Sequence, residues 1–289
     1  SASPPGHHDP GNVLALVPAS EVTHRASRDG RWDDPGTWGG SVPDDFARAQ
    51  IPDDVTVTLS GASTGRLKTL RVDGALAFDP REDSHLRVET LVTTPESVLQ
   101  VGREGRPVGR HAEARVTFSD LGPIDEDWDP ERLSTGLLAL GEVRVHGAEK
   151  TTWTELASHP TAGATALELD GAPTGWDEGD RLVVPGMNPA ENEDEELFVT
   201  GIDGNQVTVD RSLDFDHVPP KSDLPSYVVN LDRTVRFESE SQDIPRRGHV
   251  MFMSQAVDVQ YAGFYGLGRT DKSYAFTNPI HGTPPEDVP

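Results

Sequence analysis

The chain has 289 residues, 34% of them apolar, enough for one large β domain or two smaller ones with a real core. Its 49 acidic and 25 basic residues give a formal net charge of -24, which repels phosphates and disfavours nucleic acid and anionic membrane as partners. There is no cysteine, so disulfides, thiolate metal sites and thiol catalysis are excluded, and no apolar run approaches membrane-spanning length.

Residues 1–20 read as an N-terminal tail, rich in Ser, Pro and His as a mature terminus is after signal removal, and His7 and His8 are assigned to no site. Trp32 and Trp38 then flank an Asp34-Pro35-Gly36 turn, a compact loop pinned by aromatic burial. Short alternating strands follow: Val55 to Leu59, Leu67 to Val72, Ala75 to Phe78, Leu86 to Val92, Ser97 to Val101, Ala114 to Phe118, Leu137 to Leu140 and Val143 to Gly147. Gly74, Gly102, Gly141 and Gly147 end strands, where turns need positive φ or close packing. No helical periodicity intervenes, so the class is all-β: a sandwich, a barrel or a coiled β-helix.

Lys150 to Leu156 marks a junction. Beyond it, Ala166 to Leu169, Arg181 to Val184, Leu197 to Thr200 and Val207 to Asp210 form a small β unit of four or five strands over 151–220. From Tyr227 the strands Val228 to Leu231, Val235 to Phe237, His249 to Met253 and Val257 to Tyr261 recur at about one β-helix coil, on the order of 20 residues. The coils of 221–289 look incomplete, because a final coil leaves backbone groups and an apolar face unpaired.

Several stretches together resemble one family. Trp32…Pro35…Thr37-Trp38-Gly39-Gly40…Val42-Pro43, Ile51-Pro52…Val55-Thr56-Val57, Leu70-Arg71-Val72-Asp73-Gly74 and Val145-His146-Gly147…Trp153-Thr154-Glu155-Leu156 are similar to the eight-glycine domain. The likeness continues through Trp176…Gly179-Asp180-Arg181-Leu182, Leu231-Asp232-Arg233-Thr234-Val235 and Arg247-Gly248-His249-Val250-Met251 into a right-handed parallel β-helix. Relatives of this kind include the cell-migration-inducing hyaluronan-binding proteins, some of them hyaluronan-depolymerising, and the fibrocystin-like proteins. The resemblance implies an eight-glycine β domain over 21–150, the small β unit, and the first β-helix coils. It also implies an extracellular, secreted protein whose partners are an acidic polysaccharide and the C-terminal continuation of its own β-helix. Such a protein degrades a uronic-acid or glycosaminoglycan-like polymer as a hydrolase or lyase, or binds carbohydrate without catalysis; a purely structural cap on the β-helix is a third reading.

The candidate catalytic residues are His249, because only His titrates near neutrality unperturbed, with Arg247 beside it and Asp271 two residues after Arg269. Arg269 and Arg246 are candidate substrate-binding residues, able to grip uronate carboxylates in bidentate fashion. No cofactor is required by any motif; calcium is the one considered. Asp125, Asp127 and Asp129 have calcium-like spacing, but without the accompanying Gly and distal Glu a solvated loop is expected. Asp214, Asp216 and His217 could ligate a metal, though a structural role is expected. Trp38, Trp153 and Trp176 are expected to be buried anchors rather than sugar platforms.

Overall fold

The computed structural model describes residues 10–221 and 223–270. Within them the chain is a parallel β-helix carrying one antiparallel insertion. Each turn of the coil contributes to three faces. The third face stacks Gly30–Arg31, Thr56–Leu59, Ala75–Phe78, Val98–Val101, Glu142–His146 and Val257–Gln260, every pair parallel. The first and second faces share two long strands, Ser63–Val72 and Ser84–Thr93, which bend midway. Residues 84–88 pair with Ala114–Phe118, which pairs on with Val235–Ser239 and Ala262–Tyr265; this is the first face. Residues 90–93 pair instead with Gly136–Ala139, which pairs with His249–Phe252; this is the second face, begun by His24–Arg25 and Arg48–Ile51.

The alternation read from the sequence is the cause of this stacking. In each strand every second side chain points inward, and the parallel register sets like upon like. Leu76 lies over Leu99 and Val57, and Leu86 over Val116 and then Phe237. These residues form one continuous core cluster with Trp32, Trp38, Ile51, Leu70 and Phe118. The Trp32 and Trp38 rings meet edge to face at 4.8 Å, and the Trp38 indole donates to the Trp32 carbonyl at 2.8 Å, so the aromatic loop closes the first coil as expected. At the corners the coil passes so close to its neighbour that a side chain has no room: a Cβ on Gly74 would lie 2.1 Å from the Pro52 carbonyl oxygen. Gly102 combines the same crowding, 2.3 Å from the His146 carbonyl oxygen, with a positive φ of 72°.

Two departures from the sequence reading concern where the coils lie. Coiling already begins at His24–Arg25, within the stretch that resembles the eight-glycine domain, and resumes at Val235 in the same three faces. The spacing hides this because loops of unequal length separate the faces. Second, Tyr227–Asn230, read as a β-helix strand, pairs antiparallel with Trp153–Glu155 and Arg181–Val184. It completes a six-stranded antiparallel sheet with Ala166–Glu168, Glu195–Asp203 and Gln206–Val209. That unit has its own core of Leu156, Leu167, Leu169, Trp176, Leu182, Leu197, Val207 and Val228.

The N-terminal helix Pro10–Ala15 and the segment after it pack Val13, Leu16 and Val17 against Val92, Leu133 and Leu138 on the outside of the second face. At the last described coil, the inward-pointing Phe252 and Phe264 remain 36% and 42% exposed.

Candidate functional site

Parallel register places the outward side chains of the first face in two rows. One runs Ser63, His85, Arg115 and Arg236; its neighbour runs Arg66, Arg87, Thr117, Glu238 and Tyr265. The antiparallel unit stands beside these rows, and a continuous cleft lies between and along them. Its three hollows, about 270, 350 and 560 Å³, are joined through shared lining: Asp83 and Glu113 belong to the first two, Gly179, Asp232 and Arg236 to the second and third.

The floor of the cleft is a lattice of arginines and carboxylates. Arg115 donates to Glu113 at 2.8 Å and lies 3.5 Å from Glu238, and Arg236 reaches Glu113 at 3.1 Å and Asp232 at 2.5 Å. Each guanidinium has five N–H donors, so these pairings leave donors for a ligand. Tyr265 lies between Arg181 and Arg236, 6.0 and 5.6 Å from its ring centre, and its hydroxyl donates to the Leu231 carbonyl. On the opposite wall, buried Lys150 contacts both carboxylate oxygens of Asp180 at 2.7 Å, and Asn230 donates to the same carboxylate at 2.7 Å. Arg110 bridges the two units, donating to Asp177 and to the Trp176 carbonyl at 2.9 Å.

His85 lines the first hollow. Its Nε2 is 2.8 Å from the Thr117 hydroxyl, which donates to Glu238 at 3.0 Å. Because that hydroxyl spends its one proton on the carboxylate, it accepts from His85, which places the ring proton on Nε2. Burial, and then the nearby Arg115 and Arg87, push the imidazole below its ordinary value and keep it neutral at pH 7. Nδ1 therefore carries a lone pair.

The residues singled out from the sequence sit at the corner between the first and second faces. Arg269 is a brace. It donates to the carbonyls of Arg132, Ser134, Thr135 and Arg247, and to His249 Nδ1 at 2.8 Å. That contact occupies the Nδ1 lone pair and places the His249 proton on Nε2. Arg247 donates to the Gln242 carbonyl at 3.1 Å, and Arg246 is paired with Asp120. Thus Arg247, His249 and Arg269 are brought together, while Arg246 is held by an acid of the neighbouring coil. Asp271 lies outside the described residues. The corner arginines are engaged by the protein's own carbonyls and by Asp120, as Arg115 and Arg236 of the cleft are by Glu113, Glu238 and Asp232; Arg115, Arg236 and His85 are the cleft residues that the sequence reading passed over. The signal lay in strands already recognised: these residues occupy the outward positions of Ala114–Phe118, Val235–Ser239 and Ser84–Thr93.

His217 is fully buried, its two ring nitrogens each 2.9 Å from the Glu195 carboxylate and the Pro185 carbonyl. Asp216 accepts from the Ala162 amide at 2.8 Å, so the group is structural, as expected. Two expectations need correction. Asp129 is not solvated: it is 1% exposed and caps the Leu133 and Ser134 amides at 2.8 and 2.7 Å, tightening its loop. Trp153 is not buried: it sits on an outer strand, 59% exposed, with one edge against Tyr227. No group of three or more His, Asp or Glu side chains that could hold a metal ion occurs among the described residues, and no helix there is long and apolar enough to cross a membrane.

A parallel β-helix with an inserted antiparallel unit defines the class of protein, and the comparisons place it more closely. Residues 37–157 match the G8 domain family model, and the parallel β-helix of this chain continues beyond that match. Fibrocystin-L of Homo sapiens is 29% identical over 201 residues, and that of Mus musculus 26% identical over 203. These alignments cover 67% and 68% of this chain but only 5% of each relative, so the chain spans about one twentieth of their length. Among solved structures, the gp54 tailspike of Acinetobacter baumannii bacteriophage AP22, determined in complex with A. baumannii capsular saccharide, aligns at a TM-score of 0.25 and 15% identity, covering 70% of this chain and 29% of that one.

Proposed function

We propose that the chain is a polysaccharide-binding module of a secreted protein, and that an acidic polymer lies along the first-face cleft. The observation that carries this is the lattice of Arg115 and Arg236 with Glu113, Glu238 and Asp232 on the floor of a continuous cleft. In a molecule of net charge -24, Arg115 and Arg236, with Arg110, Arg233 and Arg181 lining the same hollows, offer a carboxylate-bearing chain guanidinium donors beside their own acids. The partnered carboxylates suit sugar hydroxyls, which donate as well as accept.

A second reading, cleavage of the bound polymer, is supported by His85, a neutral imidazole whose orientation is fixed by Thr117 and Glu238. On that reading His249 and Arg247, at the adjacent corner, complete the machinery.

One titration series tests both. Oligosaccharides of hyaluronan, chondroitin and alginate are expected to bind more tightly than neutral ones, and Arg115→Ala with Arg236→Ala to weaken binding about tenfold or more. Absence of binding to every polysaccharide overturns the proposal; equal binding of neutral glycans, unaffected by the arginine changes, overturns its acidic part. Reducing-end or unsaturated-product release that survives His85→Ala would remove that residue from the chemistry.

A further inference from the structure

We propose that Phe198 is the stacking platform for one pyranose ring, in a saccharide subsite built jointly by the antiparallel unit and the β-helix at the widest part of the cleft. The proposal rests on the polysaccharide reading above and names where that ligand is gripped.

The strand Glu195–Asp203 alternates cleanly: Glu195, Leu197 and Val199 are buried, while Glu196 and Phe198 face outward. Leu197 and Val199 belong to the unit's core and Phe198 does not, so its ring contributes nothing to that packing. At 43% exposure it breaks the polar-out rule of a half-buried strand. Other large apolar side chains of the described residues are exposed too, including Phe46, Trp153, Phe215 and Leu224, but Phe198 alone among them lines the cleft. The hollow it lines is the largest of the three, about 560 Å³, and apart from Tyr265 and two glycines its other lining residues are polar or charged.

The position is also rigid. The Phe198 amide donates to the Asp210 carboxylate at 2.8 Å and its carbonyl accepts from the Asp210 amide at 2.9 Å, which clamps the strand at this residue. Across the hollow, Tyr265 is fixed by its hydroxyl bond to Leu231 and by the guanidiniums of Arg181 and Arg236. A flat apolar ring on a clamped strand, with a fringe of hydroxyl-binding groups, is the surface a sugar requires. The C–H face of a pyranose covers the ring, and its rim of hydroxyls meets Glu196, Glu238 and Gln242, all of which line the same hollow. Arg181 and Arg236 stand where a ring carboxylate would find donors.

The test uses the whole chain and the acidic oligosaccharide that it binds most tightly. Phe198→Ala is expected to weaken binding roughly tenfold, while Phe198→Tyr and Phe198→Trp stay within about threefold, since each keeps an aromatic face. The melting temperature of all three variants is expected to match the parent, because the side chain lies outside the core. In the Phe198→Trp variant, oligosaccharide should also shift the added indole fluorescence. Unchanged affinity in Phe198→Ala overturns this inference and leaves the polysaccharide reading standing. A parent chain that binds no polysaccharide overturns both. Loss of a self-associated form in Phe198→Ala, with saccharide affinity kept, would reassign the ring to a protein contact and overturn the subsite.

Discussion

Glu195 shows how a single buried carboxylate organises its surroundings. It is 2% exposed, and its oxygens accept from the Asp214 and Phe215 amides, from Arg211 and from His217, at 2.8 to 3.1 Å. Burial pushes the carboxyl up, but the Asp214 amide, His217, the Phe215 amide and Arg211 outweigh it and hold the group below the usual carboxylate range. A carboxyl depressed in the folded state stabilises the fold above its unfolded value, and that contribution is lost as pH falls through the folded one. The antiparallel unit is therefore expected to hold together until pH drops below the ordinary carboxylate range. His217→Ala removes one of the four groups that oppose burial, so its acid transition should begin at higher pH, with a loss of about 2–4 kcal/mol at neutrality from the lost hydrogen bond to the carboxylate and the cavity left behind. Fluorescence of Trp176, buried in this unit's core, against pH would read both effects. Superimposable acid transitions would show that His217 is only a filler.

Among the elements, the coil corners discriminate between glycines that look alike in sequence. Gly74 sits where the turn crosses the coil below, and an added methyl would meet three backbone oxygens, those of Pro52, Val55 and Asp53, the farthest at 3.0 Å. Backbone oxygens of a stacked coil cannot swing aside, so Gly74→Ala is expected to cost at least about 2 kcal/mol or abolish soluble expression. Gly171 has open space around its Cβ position and no positive φ, so Gly171→Ala should leave the thermal transition within experimental scatter. Equal effects at the two positions would contradict the stacking described. The same elements mark what the sequence could reveal. Alternation located Ala75–Phe78 and Ala114–Phe118 to the residue, because inward and outward positions differ in polarity. It could not pair Ala114–Phe118 with Val235–Ser239, since the partner strand is more than a hundred residues distant and register leaves no local trace. The cleft was lost for the same reason: Arg115 and Arg236 become a row only when those two strands are stacked, and Phe198 becomes a wall only when the insertion folds back beside them. The corner of Arg247, His249 and Arg269 was legible, being compact in sequence, but not the fact that Arg269 is a brace for the loop carrying Arg132, Ser134 and Thr135.

For the whole molecule, the antiparallel unit is an insertion whose ends meet. The Ala148 amide donates to the Thr234 hydroxyl at 2.8 Å, and Ala114 donates to the Thr234 carbonyl at 2.8 Å, so the coil that leaves the β-helix at Gly147 rejoins it next door. The two cores share no residue: one is built on Leu76, Leu86, Phe118 and Phe237, the other on Leu167, Trp176, Leu197 and Val228. Insertions with adjoining ends and separate cores are removable in principle, because closing a short gap adds little loop entropy. Replacing residues 149–233 by a short Gly-Ser linker is expected to leave a β-helix that unfolds cooperatively with native-like β circular dichroism. Its stability should fall, because the Arg110 contacts to Asp177 and Trp176, and the Tyr265 bond to Leu231, disappear with the unit. Saccharide affinity should fall much further, since one wall of the cleft, Arg181, Glu196 and Phe198 among it, is gone while Arg115 and Arg236 remain on the floor. A shortened chain that folds and binds as the parent does would place the ligand on the β-helix alone. One that fails to fold would show that the coils on either side of the insertion depend on it, although their own registers, Ala114 against Val235 and Val143 against Val257, stack directly across the join.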